Sequence, residues 1–209
     1  MSIQFKTITH LNEDQRDALG EIVNIGMGQA GDSLARLLDT FVNLSIPRVR
    51  LVSAAELPEV LKELVGTASE VYAVRQPFHN HLQGEAIIIY DRHGCNDLAD
   101  LMGHEGQTLT PEAEDELLLD IGNILAAASL NGIAEQLKVE ITFLPPSILA
   151  RKSSVEKLFS VSGLSWSHAL LIEVNYTLEE RRFKSHLLMM LTEDSIDTLR
   201  QDVDRFLGD

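Results

Sequence analysis

Apolar residues recur at helical spacing in two long stretches, and each stretch opens on a capping signal. The first predicts a helix near residues 13–38 and the second a helix near 111–136. Asn12 and Gln15 stand at capping-box spacing ahead of the first. Thr110, Pro111 and Glu112 supply a cap, a first-turn proline and an N-terminal acid for the second. After each helix the apolar period changes to two: Val42, Leu44 and Ile46 in one place, Ile141 and Phe143 in the other. Such alternation predicts a strand with one buried face. Further on, Val71, Ala73 and Arg75 and the run Ala86–Tyr90 read as strands, and Leu98 falls in a helical stretch. Ile172, Val174 and Tyr176, the run Leu187–Leu191, and Leu199 repeat that order. Phe78–Gln83 and Thr177–Lys184 read as the hairpin connections.

The two series are copies of one pattern. Asp17, Glu21, Asn24 and Ile25 recur as Glu116, Asp120, Asn123 and Ile124: acid, three residues, acid, two residues, Asn-Ile. Asn24 is followed by 22 residues and then Pro47, and Asn123 by 22 residues and then Pro146, a constant offset of 99. In the later strands the offset reads as 101, aligning Val71 with Ile172, Ala86 with Leu187 and Leu98 with Leu199. Internal repetition of this kind is a fold-level signal. Residues 1–209 are therefore expected to form a single domain of two repeats, about 10–105 and 110–207. Each repeat is a long helix, a strand, a short helix, two strands and a terminal helix. The expected fold is α+β (mixed α/β): a six-stranded sheet about a pseudo-two-fold axis, covered by two long helices and shorter helices.

At about 100° per residue, Asp17, Glu21, Asn24 and Gly28 fall on one side of the first helix. Leu19, Ile22, Val23, Gly26, Ala30 and Leu37 fall on the other. Glu116, Asp120, Asn123 and Ala127 repeat the stripe on the second helix, with Leu118, Ile121 and Leu125 facing away. A polar face is normal for any amphipathic helix. Asparagine, however, is a poor residue for an exposed helix interior, where Glu, Lys or Gln cost less. Its return at the matching position singles out Glu21 with Asn24, and Asp120 with Asn123. Small neighbours (Gly20 and Gly28; Ala126 and Ala127) leave the helix backbone open to a docking partner.

Composition narrows the possible partners. Thirty-two acidic against 17 basic residues give a formal net charge of −15, a surface that repels nucleic acid and anionic membrane. The densest basic cluster is only Arg181, Arg182 and Lys184. No run of about 20 continuous apolar residues suggests membrane insertion, and the first residues, Met1–Lys6, lack a signal pattern. A lone cysteine, Cys95, permits no internal disulfide. Together these point to the cytoplasm.

The pattern acid, three residues, Glu, two residues, Asn, 22 residues, Pro resembles the CheC/CheX/FliY family of chemotaxis phosphatases, and its duplication resembles the two-site CheC form. The resemblance covers nearly the whole chain. It implies hydrolysis of the aspartyl phosphate of a phosphorylated CheY-like response regulator. Asn24 and Asn123 would orient the attacking water, and Glu21 and Asp120 would pair with a partner lysine. The partner would bring the Mg²⁺ as well as the phosphorylated aspartate, so this chain needs no metal or cofactor of its own. Two internal halves remove the need for a symmetric dimer, and a monomer is expected. Asp120 departs from the pattern, being shorter than Glu by one methylene, so the first site is expected to be the better one. The alternative is a non-catalytic module that docks a response regulator or a CheD-like protein.

Other signals fall away. Gly26–Gly31 spells G-x-G-x-x-G, but it follows a helix rather than a strand and has Leu51 where a ribose-binding acid would stand. His79 and His81 lack a third ligand and read as solvated loop residues. Phe159 and Trp166 read as core.

Overall fold

The computed structural model describes residues 11–208 apart from 54, 66–69, 92–97, 105–108, 155–156, 159–167 and 179–183. Cys95, Phe159, Trp166, Arg181 and Arg182 lie outside the described residues. The helices are α1 (Glu13–Leu38), α2 (Leu57–Val65), α3 (Pro111–Leu137) and α4 (Glu193–Leu207), with a π-helical turn at Asp100–His104. The strands are β1 (Val42–Leu44), β2 (Arg48–Ser53), β3 (Val71–Asn80), β4 (Gly84–Asp91), β5 (Ile141–Phe143), β6 (Ser147–Ser153), β7 (His168–Leu178) and β8 (Lys184–Leu191).

The caps set both long helices. Asn12 accepts from the Gln15 backbone N–H at 2.8 Å while Gln15 Oε1 accepts from Asn12 N–H at 2.9 Å, so the reciprocal box is complete. Thr110 caps α3 through Ala113 N–H, with Pro111 in its first turn. Each helix stops at a residue in the left-handed region, Asp39 and Lys138, whose N–H returns to a helix carbonyl.

All eight strands join one antiparallel sheet of order β1-β7-β8-β4-β3-β5; β2 also pairs with β7, and β6 with β3. There are thus six strand positions, as the repeat implied, but each edge position is split into two short strands. Chain chemistry explains the split. Leu44 pairs with Tyr176 and Arg48 with Glu173, so one extra residue lies between β1 and β2, where Pro47 cannot donate to a ladder. Ile46 consequently lies outside the strand its alternation predicted and is 85% exposed.

Each half lends its edge to the other: β1 and β2 pair with β7, while β5 and β6 pair with β3. At the centre, Ile87 pairs with Leu188, its own counterpart at an offset of 101, so the pseudo-dyad passes between these two residues. The ladders correct the alignment of the neighbouring strands. Arg48 pairs with Glu173, and Ser147, which is its counterpart, pairs with Arg75. The offset between β3 and β7 is therefore 98, not 101, and the connection between β7 and β8 is longer by three residues. Under the correct register Phe78 matches Tyr176 and Gln76 matches Val174. The hairpin strands also run further than expected, with Phe78 still paired to Gly84.

Apolar side chains pack on both faces of the sheet. One face carries Tyr72, Val74, Phe78, Ile88, Tyr176 and Met189 beneath α1, α3 and α4. The other carries Val71, Ala73, Ile87, Ile89 and Leu188 with Leu57 and Leu61 of α2. By length and composition α3 is apolar enough to cross a membrane. Most of that stretch is instead buried in this fold, with Leu118, Ile121 and Leu125 fully so.

Candidate functional site

Helices α1 and α3 pack together, and the crossing fixes which way their polar stripes point. A Cβ on Gly26 would sit 2.7 Å from the Ser129 carbonyl oxygen, and one on Gly132 would sit 2.5 Å from Gly26 Cα. Backbones approach this closely only where side chains are absent. The space beside Gly31 is filled by Leu44 of β1. Two glycines of the G-x-G-x-x-G string are therefore packing residues. The third, Gly28, faces solvent, and a Cβ there would meet no atom within 4 Å.

With Ile22, Val23, Gly26 and Met27 buried, Asp17, Glu21 and Asn24 are exposed on α1. With Leu117, Leu118, Ile121 and Gly122 buried, Glu116, Asp120 and Asn123 are exposed on α3. The carboxylate and carboxamide of each pair are one turn apart, which separates their Cβ atoms by about 5–6 Å. Two flanking positions differ from expectation. Ala126 is fully buried at the helix crossing, and Leu37, expected to face inward, is exposed near the end of α1.

Among the described residues, the stripe acids Asp17, Glu21, Glu116 and Asp120 make no hydrogen bond or ion pair. The neighbouring Asp115 shows the contrast. Arg151 Nε donates to it at 2.7 Å, and that hydrogen bond holds its carboxyl below the usual range.

The 22-residue gap to proline has a geometric reading. From Asn123 the helix runs 14 more residues to Leu137, about 21 Å at 1.5 Å per residue. The seven residue steps from Val139 to Pro146 return about 23 Å at 3.3 Å each. The chain thus comes back beside the asparagine. A shared partner records this: Gln76 Nε2 lies 2.7 Å from Asn123 Oδ1 and 3.4 Å from the Leu144 carbonyl oxygen. Leu144, half exposed, accordingly flanks Asn123, and the correspondence of the halves sets Ser45, next to the exposed Ile46, in the equivalent place beside Asn24.

The two asparagines are not equivalent. Asn123 is tied to Gln76, a β3 residue only 1% exposed, whereas Asn24 makes no side-chain hydrogen bond among the described residues. Gln76 carries no motif that sequence reasoning could single out, being one amide in an apolar strand. Comparison of the halves in the correct register would find it, since it stands opposite a valine.

No three His, Cys, Asp or Glu side chains converge among the described residues. His81 is exposed in the β3–β4 connection, as expected, and its Nε2 is also 2.8 Å from Asp202 Oδ2, whose other oxygen accepts from Arg205.

Fold and site define a class: a duplicated α+β protein whose two long helices each expose a carboxylate and a carboxamide one turn apart. The CheC-like family profile matches residues 15–49, which span the first pair and Pro47. The chain is 25% identical over 199 residues to the CheY-P phosphatase CheC of Bacillus subtilis, covering 90% of this chain and 93% of that protein. Among solved structures, Thermotoga maritima FliY superposes with a TM-score of 0.69 at 19% identity, covering 95% of this chain and 100% of that one. The CheX–CheY–BeF3–Mg²⁺ complex of Borrelia burgdorferi gives a TM-score of 0.54 at 12% identity, covering 81% of this chain and 97% of that one. The chain is thus similar to CheC-like proteins, in sequence over residues 15–49 and along most of its length to one relative, and in fold to FliY.

Proposed function

We propose that this chain hydrolyses the aspartyl phosphate of a CheY-like response regulator, with Glu21 and Asn24 as the stronger site and Asp120 and Asn123 as the weaker. The observation that carries this reading is the exposure of both acid–Asn pairs on helices whose remaining faces are packed. The name of the Bacillus subtilis relative and the CheX–CheY complex of a structural relative support the choice of partner.

Phosphoryl transfer asks a protein mainly for positioning and charge placement. A carboxamide can donate to one group and accept from another, so it can fix a water in line with the acyl phosphate without acting as a base. The P–O bond to the partner's aspartate breaks, and water supplies the new oxygen of inorganic phosphate. Glu21, without a partner among the described residues, is available to a lysine of the regulator, and the exposed Ile46 offers apolar contact at the rim. The regulator carries its own Mg²⁺. A monomer acting in the cytoplasm, with a CheD-like protein as a further partner, completes the reading.

Asp120 is shorter than Glu by about 1.5 Å of reach, and a misplacement near 1 Å can cost on the order of 100-fold in rate. The test is turnover of phosphorylated regulator at substoichiometric chain by the Asn24→Ala and Asn123→Ala variants. The expected result is turnover by the parent, a larger loss of kcat/KM in Asn24→Ala, and none left in the double variant. Equal single losses overturn the ranking. Binding without turnover by the parent overturns the enzyme reading in favour of a docking module.

A further inference from the structure

We infer that Gln76 is a positioning residue for the second site, holding the Asn123 carboxamide with its oxygen inward and its NH₂ group outward. The inference rests on the phosphatase reading for its kinetic consequence, though not for the geometry.

Gln76 occupies an inward-facing position of β3, between Val74 and Phe78, on the face covered by α3. An amide buried there is costly unless hydrogen-bonded. Its Nε2 has two acceptors, Asn123 Oδ1 at 2.7 Å and the Leu144 carbonyl at 3.4 Å, while its Oε1 is buried without a partner. The ladder assigns Val174 to the equivalent register position in the other half, and valine has no donor. What the glutamine supplies is a donor beneath Asn123 and against the loop that flanks it.

The tie selects one of the two flips of the carboxamide. Asn123 Oδ1 is engaged from below, so its NH₂ group is directed to the solvent side, where a partner's phosphoryl oxygens or water would lie. Asn24 has no such tie and must be ordered by the partner itself. A group fixed before the encounter loses less freedom in the transition state. The two sites thus differ in kind: the first has the longer carboxylate and a free amide, the second a shorter carboxylate and a preset amide.

The test uses Gln76→Met, which is near-isosteric and removes both donor and acceptor. It is made in the full chain with Asn24→Ala, so that only the second site turns over phosphorylated regulator. The expected result is a fall in kcat on the order of 10-fold with KM unchanged, confined to the second site. A loss of equal size when Gln76→Met is paired instead with Asn123→Ala marks a general structural defect and overturns the proposal, as does no loss at all. NMR of the chain alone gives an independent reading. The Asn123 side-chain NH₂ protons should be distinct in shift from those of Asn24 in the parent and should become Asn24-like in Gln76→Met, while the Gln76 NH₂ protons, buried and donating to Asn123 Oδ1, should be slow to exchange with water in the parent. Asn123 signals unchanged by the substitution overturn the positioning itself. Absence of turnover by the parent, with the NMR change present, sinks the phosphatase reading and leaves the positioning intact.

Discussion

Gly26 of α1 lies against the backbone of Ser129 in α3, close enough that an added Cβ would be 2.7 Å from the Ser129 carbonyl oxygen. That contact is made backbone to backbone, so no flexible side chain can yield. Gly26→Ala is expected to force the long helices apart and to destabilise by about 1–3 kcal/mol, the usual cost of overpacking. Urea unfolding of the variant checks this. A midpoint equal to that of the parent would show that the crossing has slack.

Gly28, two residues on, should behave in the opposite way. Nothing lies within 4 Å of its Cβ position, and the residue is exposed in mid-helix. Alanine there is expected to stabilise the chain by up to about 1 kcal/mol. The same methyl group would stand one turn from Asn24, on the surface proposed to meet the regulator, and is expected to lower kcat/KM of the first site several-fold. Higher stability with undiminished turnover would show that the docking surface does not include Gly28.

The long helices and their stripes are legible in the sequence because caps, periodicity and duplication point to the same two elements, Glu13–Leu38 and Pro111–Leu137. The register of β7 is not. Aligning Val71, Ala73 and Arg75 with Ile172, Val174 and Tyr176 is a slip of three residues that moves side chains to the opposite face. Alternation normally exposes such a slip. In β3 it cannot, because both faces of the strand are buried from Val71 to Val74 and the period-two signal vanishes. Gln76 is lost by the same route, since the slipped alignment sets it opposite Thr177, another polar residue. The break at Ser45–Pro47 is hidden by Ile46, an apolar residue in phase with a strand that ends at Leu44.

Asp120→Glu tests whether reach is what limits the second site. Asp120 is not buried and is unpaired among the described residues, so the longer side chain meets no packing conflict. In the Asn24→Ala background the substitution is expected to lower KM for phosphorylated regulator several-fold while leaving kcat within about two-fold, because Gln76 already fixes the asparagine. A change in kcat with KM constant would mean that the carboxylate acts on the reaction rather than on the regulator's lysine.

Tyr176 links the sheet to both long helices and supplies a pH test of that link. Its hydroxyl donates to Met27 Sδ of α1 at 3.1 Å and lies 3.1 Å from Ser129 Oγ of α3, which donates to the Leu125 carbonyl at 2.6 Å. Burial pushes the phenol well above its ordinary range, with the Ser129 hydrogen bond opposing only in part. The folded pKa is therefore raised above the unfolded value of about 10. Stability from the neutral phenol is fully present below about pH 10 and is lost as pH rises above it, by up to about 1.4 kcal/mol per pH unit. Tyr176→Phe removes this dependence together with the hydroxyl's hydrogen bonds, which are worth about 1 kcal/mol. Phenylalanine should pack there, since Phe78 fills the matching place in the other half fully buried. The variant is expected to be less stable than the parent at about pH 8, with the gap closing between about pH 10 and 11 in urea titrations. A gap independent of pH would mean that Tyr176 ionises in the folded chain as readily as in the unfolded one, and the tie between sheet and helices would then be open to water.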